Sequence, residues 1–321
     1  MIVVARTAVT AFVLLITQSM EAQQSNPPGE GPPQPIPWVQ PWRESTVAIG
    51  EVKDAEVSKP DGKTEKKKVF VPVGTGVLML TGPDNAPTGA FLVTAKHVFS
   101  DPTKKWTPTS VRVRFSWLDS RPVDEYLGVE LKLENGDSKL WIAHQDAAVD
   151  LACIPVRFSS KDLERPKGTA IGYSSIATDE DFFEGAAVAV LGYPGAVGPT
   201  YWTKAILRYG IVSWVSPSNP TNSPFLIDAS IFPGNSGGPV FRVPTGSDRF
   251  GNFVLSGRVA FLGIVSSGPL QYFPAVAGGK EITVPGEKPE TVLSQSLMSL
   301  GIVEPASRVR ELLDQALKKQ K

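Results

Sequence analysis

The sequence predicts an all-β protein built from antiparallel barrels or a sandwich. Many short apolar runs separated by turn residues, and a single helical pattern at the very end, carry that reading. Gly and Pro together make 58 of the 321 residues, about 18% against roughly 12% in an average protein. That excess favours turns and short strands, and no repeated helix lies between strands as a doubly wound parallel sheet would need.

Taken in chain order, Arg6 precedes an uncharged, largely apolar run, Thr7 to Ile16, and Ala22 stands before Gln23. Residues 1–22 therefore read as a secretory signal peptide, which predicts an exported, periplasmic or extracellular protein. The run falls well short of the roughly 20 apolar residues of a spanning helix, so stable membrane insertion is not expected and an uncleaved anchor is the weaker reading. Met20, three before the cut, is a departure from the small residue usual there. Residues 23–44 are rich in proline and lack apolar periodicity, which predicts an extended linker.

Organised sequence is expected from Ser45. Val47 to Val57 and Val69 to Leu80 read as strands of a hairpin turning at Pro60-Asp61-Gly62, with the basic run Lys63 to Lys68 as a solvated arm. Further strand-like runs follow at Ala90 to Thr94, Val111 to Phe115, Leu127 to Leu133, Leu151 to Val156, Ala186 to Leu191, Ile206 to Val215, Phe225 to Ile227, Val240 to Arg242, Val254 to Val265 and Glu281 to Val284. The polar stretch Phe158 to Glu184 divides two halves of similar size, about 45–157 and about 185–304. In the last segment, 305–321, Val309, Leu312, Leu313, Ala316 and Leu317 share one face, with Pro305 at the start and lysines in the last turn, so a packed terminal helix is predicted.

Composition also limits the chemistry. Lys+Arg and Asp+Glu both number 32, so there is no cationic excess to draw a phosphate backbone, and nucleic acid is not an expected partner. One cysteine, Cys153, rules out an intrachain disulfide framework and a cysteine-based zinc site. Two histidines, His97 and His144, cannot make a histidine-rich metal site unaided, so no metal is expected.

Three local signals carry the functional reading. In Pro233-Gly234-Asn235-Ser236-Gly237-Gly238-Pro239 a serine stands between glycines, where the backbone N–H groups of Gly234 and Ser236 can converge on a substrate oxygen. His97 lies just past the apolar run Phe91 to Thr94. Asp150 heads Leu151 to Val156, a position where a carboxylate near the core requires a hydrogen-bonded partner. Each alone has a bland reading: a Gly-Ser turn, a structural histidine, a turn aspartate. Together they give the order His, Asp, Ser, separated by 53 and then 86 positions. Asp146 is the rival carboxylate, but Asp150 directly precedes the apolar run.

With these residues in view the chain resembles the chymotrypsin-fold serine peptidases, on the bacterial trypsin-like side typified by HtrA and DegP. The pieces that carry the resemblance are Gly74-Thr75-Gly76-Val77, Thr94-Ala95-Lys96-His97, Asp150-Leu151-Ala152, Gly192-Tyr193-Pro194, Gly210-Ile211-Val212-Ser213, Asp228-Ala229-Ser230 and Gly234-Asn235-Ser236-Gly237-Gly238, across residues 45–304.

The resemblance implies two six-stranded antiparallel Greek-key barrels followed by the terminal helix. It implies an endopeptidase acting on protein or peptide substrates without a cofactor. Ser236 is the expected nucleophile, His97 the base, Asp150 its orienting carboxylate, and the N–H groups of Gly234 and Ser236 the oxyanion hole. It also assigns Ser266, Ser267 and Gly268 to the edge that pairs with substrate, and Ser230 to the base of the first specificity pocket. Gly-Ile-Val-Ser occurs twice, and only the copy at 263–266 lies downstream of Ser236, so Trp214 after the first copy is not expected at the site.

Two departures alter the implied mechanism. Asn235 stands where digestive relatives have an aspartate, so an ion pair with a freed amino terminus is not available. No stretch after the terminal helix corresponds to the PDZ module of DegP-like enzymes, so assembly through one is not expected. Two other functions stay open at this stage: a catalytically silent binding protein of the same fold, and a V8-type glutamyl endopeptidase, against which Val265 stands where that type carries a pocket histidine.

Overall fold

In the computed structural model the described residues are 37–319, apart from 59–63, 118–126, 158–165, 168, 199–200, 255–256, 268–269, 275, 278–279, 282–292 and 298–299. The signal-peptide reading, the Pro60-Asp61-Gly62 turn and Gly268 lie outside them.

The first half is a curled sheet of seven strands. Its members are β1 (Thr46–Ser58), β2 (Thr64–Thr81), β3 (Gly89–Ala95), β4 (Ser110–Arg114), β5 (Val129–Lys132), β6 (Ile142–Ala143) and β7 (Leu151–Pro155), in the order β5-β4-β1-β2-β3-β7-β6. All neighbours pair antiparallel. The count of six expected here therefore becomes seven, because the short pair at Ile142–Ala143 adds an edge to β7. Lys66 and Lys68 on β2 are exposed, as a solvated arm requires.

The second half is a closed barrel of six strands: β8 (Ala187–Gly192), β9 (Ile206–Trp214), β10 (Phe225–Asp228), β11 (Pro239–Arg242), β12 (Ala260–Ser267) and β13 (Leu300–Pro305), in the order β8-β9-β10-β13-β12-β11. The sequence reading runs one strand from 254 to 265, whereas the structure breaks it and begins β12 at Ala260. β13, which closes the barrel against β10 and β12, is not singled out from sequence. Its six residues hold a Gly and end in Glu304 and Pro305, which breaks the apolar run that would mark a strand.

The most extensive apolar cluster lies between the halves. It joins Val77, Phe91 and Leu151 of the sheet to Leu191, Phe241 and Ile264 of the barrel. The terminal helix α3 (Ala306–Lys319) fills the same seam with Val309, Leu312, Leu313 and Ala316, all fully buried, so the predicted apolar face is the packed one.

The expected linker needs a new boundary. Pro37–Val39 form a 3-10 turn and Gln40–Ser45 the short helix α1. Val39 and Trp42 are buried in the inter-half cluster, and Trp42 stacks on Phe241 with ring centroids 4.9 Å apart. Two tryptophans give a proline-rich stretch enough apolar surface to dock, so residues 37–44 of the expected linker are packed against the inter-half cluster.

Candidate active site

One side of the site is built within the first sheet. Antiparallel pairing sets Ala95 opposite Leu151, so the residues just past β3 and just before β7 meet. There α2 (Lys96–Phe99) begins and the Lys96 N–H donates to the Asp150 carbonyl. The His97 N–H donates to Asp150 Oδ1 at 3.1 Å, and Nδ1 of the same imidazole stands 2.7 Å from Oδ2. A carboxylate only accepts, so Nδ1 carries a hydrogen, and in the neutral ring Nε2 is then the acceptor.

Ser266 adds a third bond, its hydroxyl donating to Asp150 Oδ2 at 2.8 Å. Its side chain thus holds Asp150, a contact that the substrate-edge expectation did not include. A second carboxylate stands behind the pair. Glu304 at the end of β13 is 4% exposed and its Oε1 accepts the Asp150 N–H at 3.2 Å. Burial, with the nearby Asp150 charge, pushes its carboxyl above the usual range. Glu304 is not among the residues singled out from sequence; its one signal is a lone charge inside Leu300–Pro305.

Ser236 comes from the other half, on the turn between β10 and β11. Gly234 and Gly237 have φ of +96° and +86°, which a side chain rarely adopts. A Cβ on Gly237 would sit 1.9 Å from the Thr75 carbonyl oxygen, and one on Gly234 2.4 Å from that of Tyr193. Both glycines are therefore required by close approach as well as by dihedral.

Thr75 of β2 fastens this turn to the first half. Its N–H donates to the Ser236 carbonyl at 2.7 Å, and its hydroxyl donates to the Gly234 carbonyl at 2.7 Å while accepting the Tyr193 N–H at 3.0 Å. The Gly237 N–H donates to Val265 on β12. Among the described hydrogen bonds the N–H groups of Gly234 and Ser236 have no protein acceptor, which leaves two adjacent donors for an oxygen of a bound molecule.

His97, Ser236 and Gly234 line one cleft of about 460 Å³, with Ile231, Phe232 and Ser267. Ser230 is not part of that lining. Burial alternates from β10 onward, with Ile227, Ala229 and Ile231 inside and Asp228 and Ser230 outside. Counting parity from Ile227 would have picked Ile231 as the inward residue. The Ser230 carbonyl accepts instead from Arg208, whose guanidinium also stacks over the Phe232 ring, 4.4 Å from its centroid.

The remaining candidates fall elsewhere. Asp146 is a turn residue, its Oδ1 accepting the Ala148 N–H. His144 is buried against α3, with Nε2 3.2 Å from Glu311. Cys153 is fully buried in β7, which pushes its thiol up to about 12. Trp214 lies half exposed at a separate hollow with Pro224, Leu226 and Ile302. Among the described residues, no group of three or more His, Cys, Asp and Glu side chains converges as a metal site would need.

The sequence profile of the trypsin-like peptidase domain matches residues 74–247, more than half of the chain and a span that includes His97, Asp150 and Ser236. No curated protein matches the chain.

Proposed function

Since the chain belongs to the trypsin-like peptidase family, we propose that it is a serine endopeptidase whose working residues are Ser236, His97 and Asp150. The observation that carries this is the pairing of His97 with Asp150 through Nδ1, which leaves Nε2 as the acceptor on a ring that lines the cleft holding Ser236.

In the reaction Ser236 Oγ attacks the scissile carbonyl carbon while His97 Nε2 takes the hydroxyl proton. Asp150, held by Ser266 and the His97 N–H, stabilises the resulting imidazolium. The carbonyl oxygen, now an anion, takes hydrogen bonds from the Gly234 and Ser236 N–H groups. Collapse breaks the C–N bond, and the imidazolium returns its proton to the leaving amine. Water then repeats the sequence on the acyl-enzyme and frees Ser236.

Substrate preference follows from the cleft wall. Ile231, Phe232 and Ser267 line it without charge, and the two charged residues of the lining, Asp101 and Lys104, are paired with each other at 3.3 Å, so a Lys, Arg or Glu side chain buried there finds no dedicated counter-charge. Cleavage after small or aliphatic residues is expected, and a peptide library giving dominant cleavage after charged residues would refute that. Export through the amino-terminal signal is part of the same proposal, as is the HtrA-like character.

Reaction with a fluorophosphonate probe tests the catalytic assignment. Labelling mapped to Ser236 that disappears in His97→Ala is the expected result. Absence of labelling in the folded wild-type protein would overturn it.

A further inference from the structure

Asp150, which pairs with the His97 imidazole, has a second carboxylate on its backbone N–H. Glu304 stands behind it on β13, 4% exposed, with Oε1 on the Asp150 N–H and Oε2 without a hydrogen-bond partner among the described residues. A buried carboxylate oxygen that makes no bond is costly, and an apolar residue of similar size would avoid that cost. The backbone N–H of Asp150 needs an acceptor, but a glutamine would provide one equally well. What only a glutamate adds is an ionisable charge next to Asp150.

We propose that Glu304 is a positioning residue for the His97–Asp150 pair, fixing Asp150 through its backbone N–H and biasing the protonation of His97 through its negative charge. This rests on the peptidase reading only for its consequence in catalysis.

The charged and titratable groups around Glu304 come from three elements. Asp150 lies at the head of β7, Arg308 on α3, and His144 in the segment between β6 and β7. Arg308 and His144 are each also within bonding distance of Glu311, so neither is dedicated to Glu304. Lys96 directs its ammonium to the Ala147 and Val149 carbonyls on the segment before Asp150. Burial and the Asp150 charge both favour the protonated form of Glu304. Its ionisation is therefore displaced upward. Once ionised, Glu304 adds to the negative potential at His97 and favours the imidazolium. Removal of that charge lets His97 lose its proton at lower pH.

The chain has only two histidines, so proton NMR of the imidazole signals follows both in the intact protein, with His144→Gln assigning them. Glu304→Gln keeps the acceptor for Asp150 and removes the charge. The His97 titration midpoint is expected to fall by about half a pH unit or more in this variant. An unchanged midpoint in folded Glu304→Gln would show that Glu304 is only a hydrogen-bond acceptor and would overturn the proposal. Should that variant not fold, Glu304→Met, which removes the charge at similar volume, takes its place: the His97 midpoint should again fall, and an unchanged midpoint overturns the proposal.

In kinetics, the acidic limb of kcat/KM should move with the midpoint in Glu304→Gln. The two readings fail separately. A protein without peptidase activity but with the His97 shift refutes the peptidase reading alone, and an active protein without the shift refutes the role of Glu304 alone.

Discussion

The two sides of the cleft are made in different ways. His97 and Asp150 meet because two adjacent strands of one sheet are in register, Ala95 opposite Leu151, and five hydrogen bonds to the side chain or backbone of Asp150 fix the pair. Ser236 has no strand to hold it. Its turn relies on two glycines in left-handed geometry and on Thr75, a residue of the opposite half. The His97 side is thus laid down by the register of one sheet and braced by Ser266 and Glu304 of the barrel, while the Ser236 side takes its brace, Thr75, from the sheet. Register is robust, since a slip would turn every side chain of the strand to the wrong face. A turn braced across an interface is the more easily disturbed.

The largest effects test whether both sides act as one machine. Ser236→Ala, His97→Ala and Asp150→Asn should each lower kcat by on the order of 10⁴ with the fold retained, and the losses should not add when combined. Asp146→Asn serves as the control and should cost little; a larger loss there than in Asp150→Asn would assign the orienting role to the wrong carboxylate. Steady-state kinetics alongside circular dichroism is the measurement.

Loss of the brace should have an intermediate effect. Thr75→Val removes the hydroxyl that holds the Gly234 carbonyl and is expected to reduce kcat by about 10²-fold with little change in KM, since the donors to the oxyanion are displaced and not removed. Thr75→Ser should restore most of the activity. Equal damage from Thr75→Val to His97 titration would break the distinction between the two sides.

The smallest effect concerns Cys153 in the heart of the first sheet, where burial pushes the thiol up to about 12. Almost no thiolate exists at neutral pH, so small alkylating agents should leave activity intact in the native protein and label the thiol after denaturation. Rapid native labelling, read by mass spectrometry, would show the sheet to be looser than the turn.

What the sequence made legible follows the same division. Strands with unbroken apolar character, such as Leu151–Pro155 and Ala187–Gly192, were readable because burial on both faces leaves a continuous signal. The residues His97, Asp150 and Ser236 were singled out from chain order and resemblance, and the structure places His97 and Ser236 on one cleft, with Asp150 bound to the histidine. β13 was not, because a glycine, a glutamate and a proline interrupt it. Ser230 was chosen by spacing from Ser236, although alternation along the segment turns Ile231 inward. The packing of residues 37–44 was not legible because proline content hid two tryptophans, and Trp42 docks on a surface that includes the distant Phe241. Contacts across long sequence separations leave no local pattern, and Glu304 against Asp150 is another, 154 residues apart.

The closure of the second barrel by β13 has a consequence in time. Phe225 pairs with Val303 and Asp228 with Leu300, so the seam joins parts of the chain more than 70 residues apart. Closing so long a loop must be done before its contacts return any free energy, which places the fold among slow, high-contact-order proteins. The same strand carries Glu304 to Asp150. The His97–Asp150 pair therefore has its full set of bonds only once this long-range pairing has formed.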